Sequence, residues 1–226
     1  ARCFLPPMAK HKIGILGTGD VGRVLGAGFL AVGHEALIGS REPNSDKLKD
    51  WVKKTEGKGK TGSFADAATF GDLVVLACLG TAVEDVIKGA GGGDAFAGKV
   101  VLDATNPLKF SPTAPPSLFV GGDDSLGERV QRWLPKTKVV KAFNTVGNAH
   151  MVNPSFPGGD PDFFYAGGDD AAKATVRDLA KDLGWKSFVD LGDIVASRAL
   201  EEMCIAWVRH GIVSGSWGHA FKMLRK

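Results

Sequence analysis

Apolar residues fall along this chain in short unbroken runs separated by stretches of helical spacing, a rhythm that predicts buried strands alternating with amphipathic helices. The first run is Lys12-Ile13-Gly14-Ile15-Leu16, and Val21, Val24, Leu25 and Leu30 follow it at helical spacing. Glu35-Ala36-Leu37-Ile38-Gly39 predicts a second strand, and 46–54 a helix with Leu48, Trp51 and Val52 on its inner side. After an Ala-rich helical turn over 65–70, Asp72-Leu73-Val74-Val75-Leu76-Ala77-Cys78 is apolar without alternation, as in a strand covered on both faces of a parallel sheet. A helix over 82–88, a strand over 100–104, a Pro-rich loop over 111–117, a helix over 125–134 and a strand over 138–143 continue the alternation.

Beyond His150 the composition shifts to a Pro- and Gly-rich loop. A strand over 163–166, a helix over 169–183, a strand over 185–191 and a long helix over 194–212 then follow. On that last helix Ala199, Met203, Ala206 and Trp207 stand at inward spacing. The fold class is therefore α/β: a Rossmann-type, doubly wound, mostly parallel sheet with helices on both faces and a C-terminal helical cap. Residues 12–226 read as one unit, with 150–226 extending and capping the same sheet, and residues 1–11 as a leader. Met8 reads as a native start, and residues 1–7 do not have the form of an export signal.

Between the first strand and helix lie Gly17, Thr18, Gly19, Asp20, Val21 and Gly22, whose glycines have the spacing of a dinucleotide-binding turn. Gly17 permits the tight bend, Gly19 lets backbone approach a diphosphate, and Gly22 lets the helix pack on the strand. The diphosphate would rest on unpaired N–H groups at the helix N-terminus. Past the second strand, where an NAD-specific turn places an acidic residue for the ribose hydroxyls, this chain has Ser40 and Arg41. A carboxylate repels a 2′-phosphate, whereas a hydroxyl and a guanidinium bind it, so the expected cofactor is NADP(H). Asn44 and Lys47 stand near enough to add contacts. The remaining strand ends, at Cys78, Leu79 and Gly80, at Thr105 and Asn106, and at Ala142, Phe143, Asn144 and Thr145, are expected on the same crevice, beyond the carboxyl ends of the strands.

Composition narrows the class further. No apolar run is long enough to span a bilayer. Net charge is +3, and the Lys53–Lys60 run lacks the interleaved aromatics of a nucleic-acid surface, so neither membrane nor nucleic acid is an expected partner. Cys3, Cys78 and Cys204 form no CxxC pair, and the five histidines stand apart in sequence. No metal is expected, and a reducing cytoplasm is the default location.

The order of elements resembles the NADP oxidoreductases of the coenzyme F420-dependent family, with the NADPH-binding domain of the STEAP metalloreductases as a relative. The resemblance is carried by Ile13-Gly14-Ile15-Leu16-Gly17-Thr18-Gly19-Asp20, Gly39-Ser40-Arg41, Asp103-Ala104-Thr105-Asn106-Pro107-Leu108 and Val139-Val140-Lys141-Ala142-Phe143-Asn144-Thr145. It extends through Ala166-Gly167-Gly168-Asp169 and Leu183-Gly184 to Ser197-Arg198-Ala199-Leu200-Glu201. It implies that Ser40 and Arg41 hold the 2′-phosphate and that Leu79, Gly80, Asn106, Ala142, Phe143 and Asn144 flank the nicotinamide. Coenzyme F420 or a flavin is implied as second cofactor, and a homodimer as the assembly; Ile205, Trp207 and Val208 on the last helix stand where they either form its contact surface or pack in the core, the reading that burial tendencies favour. The chain departs from the family at Leu79-Gly80, where deazaflavin-reducing members have Pro and an aromatic. That alters the surface on which a second ring stacks.

Hydride transfer between two stacked rings needs no protein acid, and the amides and hydroxyls at the strand ends fit that chemistry. Asn106 and Asn144 stand where they either hold the nicotinamide carboxamide or cap backbone groups. Two other readings remain open: a dehydrogenase or imine reductase using Lys109, Lys141 or His150 as acid, and a non-catalytic NADPH sensor.

Overall fold

The computed structural model describes residues 10–111 and 113–225, so Cys3, Met8 and most of the leader lie outside the described residues. Lys12–Leu16 forms β1, its four inner residues buried, and runs into α1 (Asp20–Ala31). β2 (Glu35–Gly39) pairs in parallel with β1, setting Ile15 beside Ile38. α2 (Asp46–Lys54) packs Leu48 and Trp51 inward. β3 (Lys60–Gly62) then adds a short parallel edge strand that the sequence pattern does not predict. Its residues are polar and only half-buried, and it exists through its pairing with β2. Ser63 begins α3 (Phe64–Phe70) with a capping box closed by Asp66.

β4 (Leu73–Leu76) lies on the other side of β1, in parallel and wholly buried. α4 (Val83–Gly89) and α5 (Gly92–Phe96) follow. The second of these is hidden in sequence by its glycines, and fully buried Phe96 anchors it. β5 (Val100–Asp103) extends the sheet. A small hairpin of β6 (Leu108–Lys109) and β7 (Ser117–Leu118) brackets the Pro-rich loop. α6 (Leu126–Trp133), capped by Ser125, leads to β8 (Lys138–Ala142).

The final third adds β9 (Asp162–Gly167), α7 (Asp170–Asp182), β10 (Ser187–Asp190) and α8 (Ser197–Ser214). β9 runs antiparallel to β8, and β10 runs parallel to β9. The eight-stranded sheet has the order β10-β9-β8-β5-β4-β1-β2-β3, with an apolar core on each face. The chain winds outward from β1 to one edge and from β4 to the other, so the topological switch point lies between β1 and β4. No helix among the described residues is long and apolar enough to cross a membrane.

One expected helical face is corrected. The buried side of α8 is Ser197, Leu200, Glu201, Cys204, Val208 and Gly211, whereas Ala199 and Ala206 are exposed and Met203 and Trp207 half-buried. A hydroxyl and a carboxylate occupy two positions of the inward stripe, so hydrophobicity alone points to the wrong side. Val208 is buried within the fold and is not part of an outer contact surface.

Candidate active site

The switch point opens into a cleft of about 860 Å³, near the upper end of the range for small-molecule sites. Its floor is the glycine turn. Gly17 has φ +137°, and a Cβ there would lie 2.3 Å from the Ala77 carbonyl oxygen at the end of β4. Gly22 faces the Gly17 carbonyl equally closely, so both glycines are required by the protein's own packing. Gly19 is different: a Cβ on it would meet nothing within 4 Å, although it stands at the N-cap of α1 on the cleft. No side chain caps α1, which leaves its first N–H groups free to meet an anion. A missing side chain beside open space, facing an uncapped helix end, is the cradle that a diphosphate fits.

Ser40 and Arg41 border the same cleft past β2. Ser40 is nearly buried, and its Oγ accepts the Glu42 N–H at 2.9 Å, which leaves the hydroxyl hydrogen to donate outward. Arg41 is exposed, as are Glu42 and Lys47 beside it. Asn44 does not line the cleft. This end of the cleft is thus bordered by two hydroxyls, Ser40 and Ser45, two cations, Arg41 and Lys47, and the carboxylate of Glu42.

At the other end stand Cys78, Leu79, Asn106 and Asn144, together with Leu108, Val146 and Asn148. The Asn144 Nδ2 donates to Asn106 Oδ1 at 3.0 Å and to the Leu200 carbonyl at 2.8 Å, while Asn106 Nδ2 donates to the Asn144 carbonyl at 3.0 Å. These amides cap backbone and lock one another, and one Asn106 N–H remains for a ligand. Gly80, Thr105, Ala142, Phe143 and Thr145 do not border the cleft. Gly80 packs against the Asn106 carbonyl, where a Cβ would lie at 2.1 Å, and the Thr105 hydroxyl donates to Asp103 at 2.6 Å. Ala142 is buried, and Phe143 packs edge-on against Phe163 and Trp185. With φ at +62°, Phe143 turns the chain so that Asn144 follows at the cleft.

The model of the family described as NADP oxidoreductase, coenzyme F420-dependent, matches residues 12–107. The F420-dependent NADP reductase of Methanocaldococcus jannaschii is 33% identical over 201 residues, spanning 84% of this chain and 87% of that protein. The chain belongs to this family. A crystal structure from Arthrobacter sp. FB24, provisionally described as an F420-dependent NADP-reductase, is 38% identical with a TM-score of 0.89, covering 95% of this chain and 100% of that one. Metalloreductase STEAP3 of Rattus norvegicus is 25% identical over 199 residues, or 86% of this chain and 36% of that protein. This member of the F420-dependent family is an NADP-dependent oxidoreductase.

In this oxidoreductase α8 is the C-terminal cap that the sequence predicts, and the residues it brings to the cleft, Cys204, Trp207 and Val208, are ones the pattern does not single out as site residues. The helix is docked by charge. Lys141, fully buried on β8, holds Asp103 Oδ2 at 2.9 Å and Glu201 Oε1 at 2.9 Å. Glu201 also accepts the Leu126 and Gly127 N–H groups at the start of α6, both at 2.9 Å. Arg198 grips Glu128 with two hydrogen bonds. Burial disfavours the Lys141 charge, but Asp103 and Glu201 outweigh it and hold its pKa above the ordinary lysine value. Lys141 therefore points into the fold, between two carboxylates. Burial pushes both cleft thiols, Cys78 and Cys204, up to about 12, with Asp103 adding to the first, while at the second burial prevails over the opposing pull of the Lys141 ammonium. Both stay protonated and unreactive at neutral pH.

Proposed function

We propose that this enzyme transfers a hydride between NADPH and a planar flavin-like acceptor, coenzyme F420 or a flavin, both bound in the cleft. The observation that carries this reading is the character of the acceptor end. Among the described residues bordering it, the side chains are amides, aliphatics, one indole and thiols that do not titrate near neutrality. Lys109, Lys141 and His150, the candidates for a protein acid, do not border the cleft, and Lys141 is locked in its ion pairs. Such a site suits two rings held face to face and offers no proton donor for a carbonyl or imine.

NADPH, when bound, supplies a hydride that the second ring accepts together with a solvent proton. The protein's part is to grip and align. The α1 N-terminus and the open face of Gly19 hold the diphosphate, Ser40 and Arg41 the 2′-phosphate, and the remaining Asn106 N–H the nicotinamide carboxamide. Leu79, Leu108 and Val146 exclude water around the rings. The relatives named F420-dependent NADP reductases favour the deazaflavin as acceptor.

The test is a turnover assay following NADPH absorbance with coenzyme F420, FMN, FAD, ferric chelates, a cyclic imine and a ketone offered separately. Rapid oxidation with F420 or a flavin is expected. Turnover with an imine or ketone and with neither ring would overturn the reading, and binding of NADPH without turnover on any acceptor would make the protein a sensor.

A further inference from the structure

We propose that Trp207 is the wall on which the planar acceptor rests, and that the segment following α8 serves to hold this indole in place. The inference depends on the acceptor being a flat ring, as proposed above. Two aromatic side chains, Phe64 and Trp207, border the cleft among the described residues. Phe64 opens α3 beside Gly39, where a Cβ would lie 3.1 Å from the Phe64 Cα, and so belongs to the Ser40 end. Trp207 stands on α8 with Cys204 and Val208 at the other end. The tip of β4 cannot supply a ring at Gly80, because the Asn106 carbonyl leaves no room for a Cβ.

The indole is fixed with unusual completeness for a half-buried side chain. Its Nε1 donates to the His219 carbonyl at 2.9 Å, while a His219 ring nitrogen lies 2.9 Å from the Trp207 carbonyl, so the two residues clasp each other. The His219 ring stacks on the indole at 4.8 Å and 25°, and Trp217 lies 5.3 Å away. Two glycines make room for this cluster. A Cβ on Gly147 would lie 3.0 Å from the Trp207 ring, and one on Gly211 would lie 2.4 Å from the Trp217 ring. Gly215, at φ +65°, ends α8 and reverses the chain. The returning segment is tied to the start of β9: the Asp162 N–H donates to the Phe221 carbonyl at 3.0 Å, and the Met223 N–H to Asp162 Oδ2 at 2.6 Å. Rings, glycines and a returning strap thus converge on one indole that meets the cleft. An aromatic surface held in advance loses little rotamer freedom when a flat ligand stacks on it.

The experiment titrates NADP⁺-loaded enzyme with oxidised coenzyme F420 and, separately, FMN, following quenching of the acceptor's fluorescence, and measures steady-state constants alongside. Trp207→Leu is expected to weaken binding and raise KM for the ring acceptor by roughly 10-fold or more, the range of stacking on an aromatic side chain. Its kcat should fall less than its KM rises, and its NADPH affinity should stay at the wild-type value. Trp207→Phe should recover most of the loss. His219→Ala, which leaves the indole in place but unbacked, should show a smaller effect of the same sign. Wild-type ring affinity in Trp207→Leu, or an equal loss of NADPH affinity, would overturn the proposal while leaving the acceptor reading intact. A wild-type enzyme that binds NADPH and neither ring would overturn both.

Discussion

Gly17, Gly19 and Gly22 are glycines for different reasons, and substitution separates those reasons. Alanine at Gly17 meets both a left-handed backbone and the Ala77 carbonyl, so Gly17→Ala is expected to be strongly destabilised or to fail to accumulate. Alanine at Gly19 meets no protein atom, so Gly19→Ala should keep its unfolding midpoint close to wild type while NADPH affinity falls by ~10-fold or more, the equivalent of about 1.4 kcal/mol. Calorimetry and cofactor titration on the same two proteins check both halves. Arg41 belongs to the same argument. Its removal in Arg41→Ala should weaken NADPH by about 1–3 kcal/mol, the cost of a lost charged hydrogen bond, and leave NADH nearly unchanged. Equal losses for the two nucleotides would show that Arg41 does not read the 2′-phosphate. These residues are legible in sequence because their roles depend on local backbone and on charge type. The Asn106–Asn144 lock is not, since its partners lie 38 residues apart and meet only when β5 and β8 pair.

Among the elements, α8 shows where a pattern of hydrophobicity stops being informative. The strands of the parallel sheet are readable as apolar runs because both of their faces are covered. α8 instead buries Ser197 and Glu201, and the reason for Glu201 lies on other elements: the ammonium of Lys141 on β8 and the N-terminus of α6. One buried cation therefore joins β5, β8 and α8; the segments after the two strands bring Asn106 and Asn144 to the cleft, and α8 brings Cys204, Trp207 and Val208. Lys141→Met removes the positive charge and leaves two buried carboxylates, so it is expected to cost about 3–5 kcal/mol in denaturant unfolding. Adding Glu201→Gln removes one of those carboxylates and should recover a substantial part of the loss. If the two changes are additive instead, the triad is not an energetic unit. β3 and α5 escape a sequence reading for the converse reason: they carry little apolar signal of their own and are held by a neighbour's edge or a single buried ring.

At the scale of the whole molecule, the alternation of strands and helices and the gathering of strand ends at one crevice are visible in sequence, whereas the strand order and the switch point between β1 and β4 are not. Nor is what fastens the first half to the last. At the end of the sheet away from the cleft, His34, in the turn between α1 and β2, lies 3.2 Å from Asp182 at the end of α7, 148 residues on. The His11 N–H donates to His34 Nδ1 at 3.1 Å, which places the imidazole's own proton on Nε2, toward Asp182. His34 is 6% exposed, and burial lowers its pKa below 6.5 despite the pull of Asp182 in the opposite direction. Protonating Nδ1 also forfeits the bond from His11. The unfolded chain, with its histidine near the ordinary value of about 6.5, takes up this proton first as pH falls. Stability from this contact is therefore fully present above about pH 6.5 and is lost as pH drops through the lower folded value. Denaturant midpoints measured from neutral into mildly acidic buffer should fall for the wild type and fall less steeply for His34→Gln, which cannot titrate. Parallel slopes for the two proteins would assign the acid sensitivity elsewhere. The cleft-lining residues, at the opposite end of the strands, should retain NADPH affinity over the interval in which the folded protein persists, so cofactor titration at each pH separates loss of the staple from damage to the site.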